Sequence, residues 1–366
     1  MKHRSIKKTL IKLLLPFGLT LLLLFSRDFL LQYTVSNPGA ANTINIGTTF
    51  IQMNAEALNL DWKAAYKEII NEIGIKYVRI PIFWDQIEPE PGVFNWEAIE
   101  WQMQEAAKAK AKVLLVVGHR VPRYPECYAP TWTHDLNDQQ FKQALFKMLQ
   151  ATVLHFKDHS ALEAWQIENE PLAKILGKIW GGQQCREVIP WVAEEIQLVR
   201  SLDTHPTVVT YAFSPWTSSQ LRDTLAFNSD VVAITLFNKL FFRSPLYSGY
   251  IEMFKMGLIS PLRLAYQKAV AEHQGKQFWI AELQAEPWGP DGPYQFEHPE
   301  DAYISMNPKR LAETWKHATQ AGISKLYLWG AEWWLAERNK GNASMLNAVK
   351  ELMADHPIDS TLKGSE

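Results

Sequence analysis

Cysteine is scarce in the 366 residues: Cys127 and Cys185 are the whole complement. Neither belongs to a C-x-x-C pair, and no H-E-x-x-H helix or glycine-rich phosphate loop occurs. Those absences remove the usual signatures of zinc hydrolysis and nucleotide binding, so neither metal nor cofactor is expected. No Pro-, Gly- or Ser-rich linker divides the body, which therefore reads as one domain. An excess of positive charge is missing as well. The formal net charge is -2, and residues 1–35 alone carry six Lys/Arg against Asp28, leaving about -7 for the rest. So acidic a body argues against nucleic acid as a partner.

Aromatic residues are plentiful, with 15 tryptophans, and such side chains tend to line sites that grip flat or amphipathic ligands. The N-terminus joins a basic segment, "MKHRSIKKTLIK", to the apolar run "LLLPFGLTLLLLF" and then, past Arg27 and Asp28, to "FLLQYTV". This reads as a signal anchor or a signal peptide over 1–35, with 36–43 as a linker. It places the body outside the cytoplasmic membrane, tethered through that segment or secreted. The domain is expected over 44–355, with 356–366 as a C-terminal tail.

From residue 44 the chain alternates short apolar runs with amphipathic segments. The runs are "INIGTTFI", "YVRIPIFW", "VLLVVGHR", "ALEAWQIENE", "TVVTYAF", "VVAITLF", "FWIAEL" and "KLYLWG". They are nearly continuous rather than alternating, which marks strands buried on both faces of a parallel sheet. Eight such runs, each followed by a helix-sized segment, predict an α/β fold of the (β/α)8 TIM-barrel type. An open doubly wound sheet is the alternative, but its phosphate-binding turn is missing. Long connections follow the third, fourth, sixth and seventh runs, at the barrel face where sites are built.

Two of those runs end in carboxylates. "AWQIENEP" places Glu168 and Glu170 around Asn169, where strand alternation turns both acids inward and Pro171 marks the strand end. Glu170 then sits at the rim, with Glu168 a layer deeper or turned towards a neighbouring strand, in a structural role. "FWIAELQAEPW" ends the seventh run at Glu282. Glu170 and Glu282 lie three βα units apart, so they can face each other across the mouth. A separation of about 5–5.5 Å suits a retaining glycosidase, and a wider gap an inverting one. Arg79, a cation inside an apolar run, must be paired; beside Glu282 it keeps that carboxylate ionised. The alternative for Arg79 is an ion pair of purely structural use.

These motifs resemble the clan A glycoside hydrolases, retaining (β/α)8 enzymes, over most of 44–355. "IENEP" is similar to the clan's strand-four motif, which implies that Glu170 is the acid/base and that Asn169 binds the sugar 2-hydroxyl. "WIAELQAEPW" is similar to the strand-seven element and implies that Glu282 is the nucleophile. "RIPIFWDQIEPEPGVFNWEAIE" resembles the strand-two region of cellulase-like, family 5-like and β-galactosidase-like members. The resemblance also implies a sugar platform at Trp329, at the end of strand eight. It departs at strand six, where many members carry a Tyr that bonds the nucleophile and this chain has Phe237 and Asn238. Asn238, Tyr247 or Tyr294 are the replacements available.

His119 closes the third run and either contacts a sugar hydroxyl, bridges to Glu170 or is a satisfied structural histidine. Trp84, Trp180 and Trp288 are expected near the cleft, with core or lid packing as the alternative. Glu332 either binds hydroxyls or pairs with a base. Cys127 and Cys185 fall on neighbouring loops, where a disulfide is expected, with two free buried thiols as the alternative. The expected activity is a hydrolase of carbohydrate metabolism, a glycosidase cleaving β-linked O-glycosidic bonds in an oligo- or polysaccharide. A non-catalytic carbohydrate-binding barrel and an envelope-glycan transglycosidase are the alternatives.

Overall fold

The apolar runs are strands, and runs such as Tyr77–Pro81 and Val231–Leu236 are buried at every position, as a sheet covered on both faces requires. The computed structural model describes residues 41, 43–173, 186–213, 219–244, 247–290, 292–293 and 298–356. Eight parallel strands close a barrel. They are β1 (Asn45–Thr49), β2 (Tyr77–Pro81), β3 (Lys112–Val117), β4 (Leu162–Ile167), β5 (Thr207–Ala212), β6 (Val231–Leu236), β7 (Gln277–Gln284) and β8 (Lys325–Trp329). Each pairs with its sequence neighbours, and β1 closes the ring against β8 with Asn45 opposite Lys325. The α/β barrel read from the sequence is therefore the observed architecture, and the open sheet is excluded.

Helices return the chain between strands, and their starts are written locally. Asn137 and Gln140 form a reciprocal capping box that opens the helix Asp138–Phe156. Ser260 and Asn307 each cap a helix whose first position is proline, Pro261–His273 and Pro308–Gln320. The long connections stand at the strand C-terminal ends. One, after β6, is a hairpin of Lys239–Ser244 against Tyr247–Glu252; another, after β7, is the short pair Trp288–Gly289 and Gly292–Pro293.

No helix among the described residues is long and apolar enough to cross a membrane. The proposed anchor (1–35), the linker up to residue 40, Trp180, Cys185, Tyr294 and the tail from 357 lie outside the described residues.

Candidate active site

Period-two alternation decides which side chains enter the barrel. Tyr77, Ala164, Val208, Ala233 and Trp279 belong to one apolar cluster deep inside. Two residues further along their strands come Arg79, Gln166, Thr210 and Thr235, which form a polar layer above it. Arg79 is fully buried and organises that layer. Its Nε donates to Gln166 Oε1 (2.8 Å), Nη2 to Asn169 Oδ1 (2.9 Å) and Nη1 to Glu282 Oε1 (2.6 Å).

Glu282 reaches the layer through an irregularity. On β7, Ile280 pairs with Ile234 but Glu282 pairs with Thr235, so Ala281 is an extra residue. Trp279 and Ala281 share the interior cluster, and strict alternation would turn Glu282 outward. The bulge re-aims it at Arg79. Burial raises the proton affinity of Glu282, while the Arg79 charge and hydrogen bond oppose that rise.

Glu170 stands across from it. Strand β4 ends at Ile167, earlier than the Pro171 boundary expected, and Glu168 and Glu170 adopt left-handed φ angles of 58° and 44°. They therefore do not share a strand face; each is aimed by a turn. The Glu170 amide donates to Thr210 Oγ1 (2.9 Å), and its carboxylate accepts the Thr235 hydroxyl. Thr235 is thus bonded to one carboxylate and in register with the other. Burial, with the charges of Glu126 and Glu282, pushes Glu170 up to about 8. Glu168 turns towards β3, where its oxygens accept the backbone N–H groups of His119 (2.8 Å) and Arg120 (2.6 Å).

Asn169 is held by its oxygen, which accepts from Arg79, Gln166 (3.3 Å) and Thr210 (3.3 Å). His119 is buried against Phe141, and neither ring nitrogen has a hydrogen-bond partner among the described residues. Burial, helped by Arg120 and Arg186, lowers it to about 3, so the ring is neutral. Among the described residues nothing satisfies it as a structural histidine.

The aromatic candidates separate. Trp329 Nε1 donates to Glu286 Oε1 (2.8 Å), and the Arg123 guanidinium lies 5.8 Å from the centre of its ring. Arg123 also bonds Glu286 at 2.8 Å. Gly330 is needed beneath, because a Cβ there would stand 2.5 Å from the Glu286 Cβ. Trp288 meets Phe237 edge to face at 5.4 Å. Trp84 takes the core alternative: it is wholly buried, bonded to Glu88 (2.6 Å) and packed on Trp132 and Phe141, so it lines no open cleft. Among the described residues Glu332 pairs with no basic side chain. It accepts the Ile51 amide and the Asn54 amide nitrogen (3.2 Å), at the start of the helix Gln52–Ala57, and burial raises it to about 7.

Among the described residues no hydrogen bond joins Asn238 to Glu282; the Asn238 oxygen accepts the Phe254 amide (3.0 Å). Tyr247 donates to Tyr250 O (3.1 Å). Among the described residues the hydrogen bond to the Glu282 carboxylate comes from Arg79. Cys127 is disulfide-bonded; Cys185, the other cysteine, lies outside the described residues. Gln166, Thr210, Thr235 and Glu126 were not anticipated. Gln166 carried the signal that exposed Arg79, a polar side chain in an apolar run, whereas the two threonines read as ordinary strand formers.

A family model described as Beta-galactosidase (Glyco_hydro_42) matches residues 56–133, less than half of the chain. Solved structures share the barrel. A GH5_18 protein from Bifidobacterium longum subsp. longum has a TM-score of 0.57 at 13% identity, over 87% of this chain and 81% of its own. The chain resembles the clan A glycoside hydrolases. Xylanase 10B from Thermotoga petrophila gives 0.53 at 14% identity, over 79% of this chain and 82% of its own. A β-galactosidase from the haloarchaeon Halorubrum lacusprofundi gives 0.52 at 15%, over 78% of this chain. The chain spans about half of that enzyme's length (52%). At such identities the likeness to these structures is one of fold. No curated protein matches the sequence.

Proposed function

We propose that the protein is a retaining glycoside hydrolase acting on β-linked O-glycosides of an oligo- or polysaccharide. The observation that carries this reading is the link made by Thr235, bonded to Glu170 and in register with Glu282. It joins a carboxyl kept protonated near neutrality to a carboxylate paired with a buried guanidinium. That inequality is what double displacement requires.

Glu282 attacks the anomeric carbon as the bond to the leaving oxygen breaks, and the Glu170 proton passes to that oxygen. Water then displaces Glu282 from the anomeric carbon and gives its proton back to Glu170. The Asn169 oxygen is held by Arg79, so its amide N–H groups serve the sugar 2-hydroxyl. Trp329, fixed by Glu286, forms the platform under the ring. Neutral His119 offers one donor and one acceptor to sugar hydroxyls. The relatives' names, β-galactosidase and xylanase, support β-linked sugars as the class to screen. The basic and apolar leader and the disulfide at Cys127 support an extracytoplasmic location, with residues 1–35 as anchor or signal peptide.

The test is a panel of β-linked oligosaccharides and aryl β-glycosides, with the product's anomeric configuration read by NMR. Retained configuration is expected, with loss of about 10³-fold or more in kcat/KM for Glu282→Ala. For Glu170→Ala the loss shrinks when the aryl leaving group needs no proton. Hydrolysis that survives both substitutions rejects the assignment, and an inverted product rejects retention.

A further inference from the structure

A second pair of carboxyl groups lies behind the first. Glu168 is fully buried, and its two oxygens accept the amides of His119 and Arg120. Gly118, at φ 139°, leaves the room it needs: a Cβ there would stand 2.5 Å from Glu168 Oε1. Glu195 arrives from the helix Val192–Leu202, also fully buried, and its carboxyl is in hydrogen-bond contact with that of Glu168. No donor group among the described residues bonds either Glu195 oxygen.

Two ionised carboxylates cannot hold such a contact without a cation between them. The cations nearby are engaged elsewhere. The Arg120 guanidinium bonds Glu126 at 2.5 Å, and Lys142 bonds Glu194 at 2.7 Å on the outer side of the same helix. Burial raises Glu168 as well, to about 7, but its two N–H donors hold that value down and Glu195 has no such donor among the described residues, so above about pH 7 the one proton of the pair resides on Glu195.

We propose that Glu195 is a positioning residue: its protonated carboxyl donates to ionised Glu168, and this shared proton ties the helix to the carboxylate that clamps the ends of β3 and β4. The clamp holds the turn in which Glu168 and Glu170 keep their left-handed φ, a conformation that persists only where the surroundings enforce it. Asn169 lies between them, and its amide bonds Arg120 O at 2.8 Å, so both glycone-facing groups depend on this one corner. Loss of the proton sets two buried charges against each other and loosens the corner. The effect on catalysis rests on the proposed role of Glu170; the effect on stability does not.

Burial first, and then the Glu168 charge, raises Glu195 well above the ordinary carboxyl value. A folded-state value above the unfolded one gives stability that is complete below about pH 4.5 and is lost as pH rises through the folded value. Glu195→Gln offers an amide N–H to the same oxygen and has no proton to lose. The melting temperature of E195Q minus that of the wild type is expected near zero at about pH 5, growing to roughly 2 °C or more by about pH 9. At about pH 7.5, E195Q is expected to keep kcat within about threefold, while E195A loses roughly tenfold or more with KM little changed. A melting difference that is flat or falls with pH overturns the shared proton, whether or not E195A folds. Wild-type kcat in folded E195A overturns the positioning role. If the wild type cleaves no glycoside, the proposed activity fails, and the melting experiment still decides the clamp.

Discussion

Arg79 and Glu282, 203 positions apart in the chain, meet in a 2.6 Å ion pair whose guanidinium is fully buried. The same guanidinium reaches Gln166 and Asn169, so one cation ties strand β7 to the turn that carries Glu170. It offsets part of the effect of burial on Glu282 and fixes the direction of the Asn169 amide.

Removing that cation therefore has two consequences. In Arg79→Ala the Glu282 carboxylate is left buried and uncompensated, which destabilises the fold by about 3–5 kcal/mol. Its proton affinity rises further, so the acidic limb of kcat/KM moves to higher pH. Arg79→Lys keeps the charge but not the three-way fork, and should recover stability better than kcat. An acidic limb that stays in place in R79A contradicts the pairing.

With Glu170 as the proposed acid/base, the alkaline limb is its own. Its folded-state value of about 8 means the acid form is present below that pH and lost above it, so kcat/KM should fall from about pH 8 upward. The Thr235 hydroxyl bonds the ionised form and holds the value down. Thr235→Val should shift the limb upward and lower the rate. The stability sign is opposite to that of a salt-bridged acid: a raised carboxyl contributes stability fully below about pH 4.5, and loses it between there and about 8. Glu170→Gln should accordingly melt higher than the wild type at pH 8, with little difference at pH 4.5, as calorimetry can record.

Trp329 depends on Glu286, which is wholly buried and bonded to both the indole and Arg123. Glu286→Ala leaves Arg123 without that partner and frees the ring, so KM should rise and thermal stability fall. Trp329→Phe keeps an apolar face but loses the indole bond; it should weaken substrate binding by a smaller factor, roughly tenfold or less. A KM unchanged in both variants excludes Trp329 as the platform.

The disulfide at Cys127 anchors the end of the segment that carries Arg120, Arg123 and Glu126, and Cys127 pairs with Arg120 across an isolated bridge. Cys127→Ser, or reduction of the wild type, should cost about 2–4 kcal/mol of stability. It should also lower kcat, because Arg120 donates to Glu168 and accepts from Asn169. A melting temperature that dithiothreitol does not change argues against a stabilising bridge.

Much of the fold was legible because parallel strands inside helices must be apolar on both faces. The runs "YVRIP" and "VVAITL" show that directly, and "LNDQQ" and "SPLR" mark helix starts through local hydrogen bonds. Arg79, Glu170 and Glu282 stood out for the same reason, as charges at the ends or in the middle of apolar runs. Trp84 and Glu332 were misplaced because burial against Phe141 and bonding to Ile51 depend on segments distant in the chain. Thr235 and Glu195 had no local signal at all.

The sequence by itself therefore determined eight strands, their order and the two carboxylates, since these follow from period, polarity and spacing along the chain. The tertiary structure alone decided which way those carboxylates face. Alternation would turn Glu282 out, and a single extra residue at Ala281 turns it in. Strand geometry would pair Glu168 with Glu170, and two left-handed residues send them to opposite neighbours. Both choices are settled by hydrogen bonds between strands far apart in sequence, and no pattern of neighbouring residues encodes them.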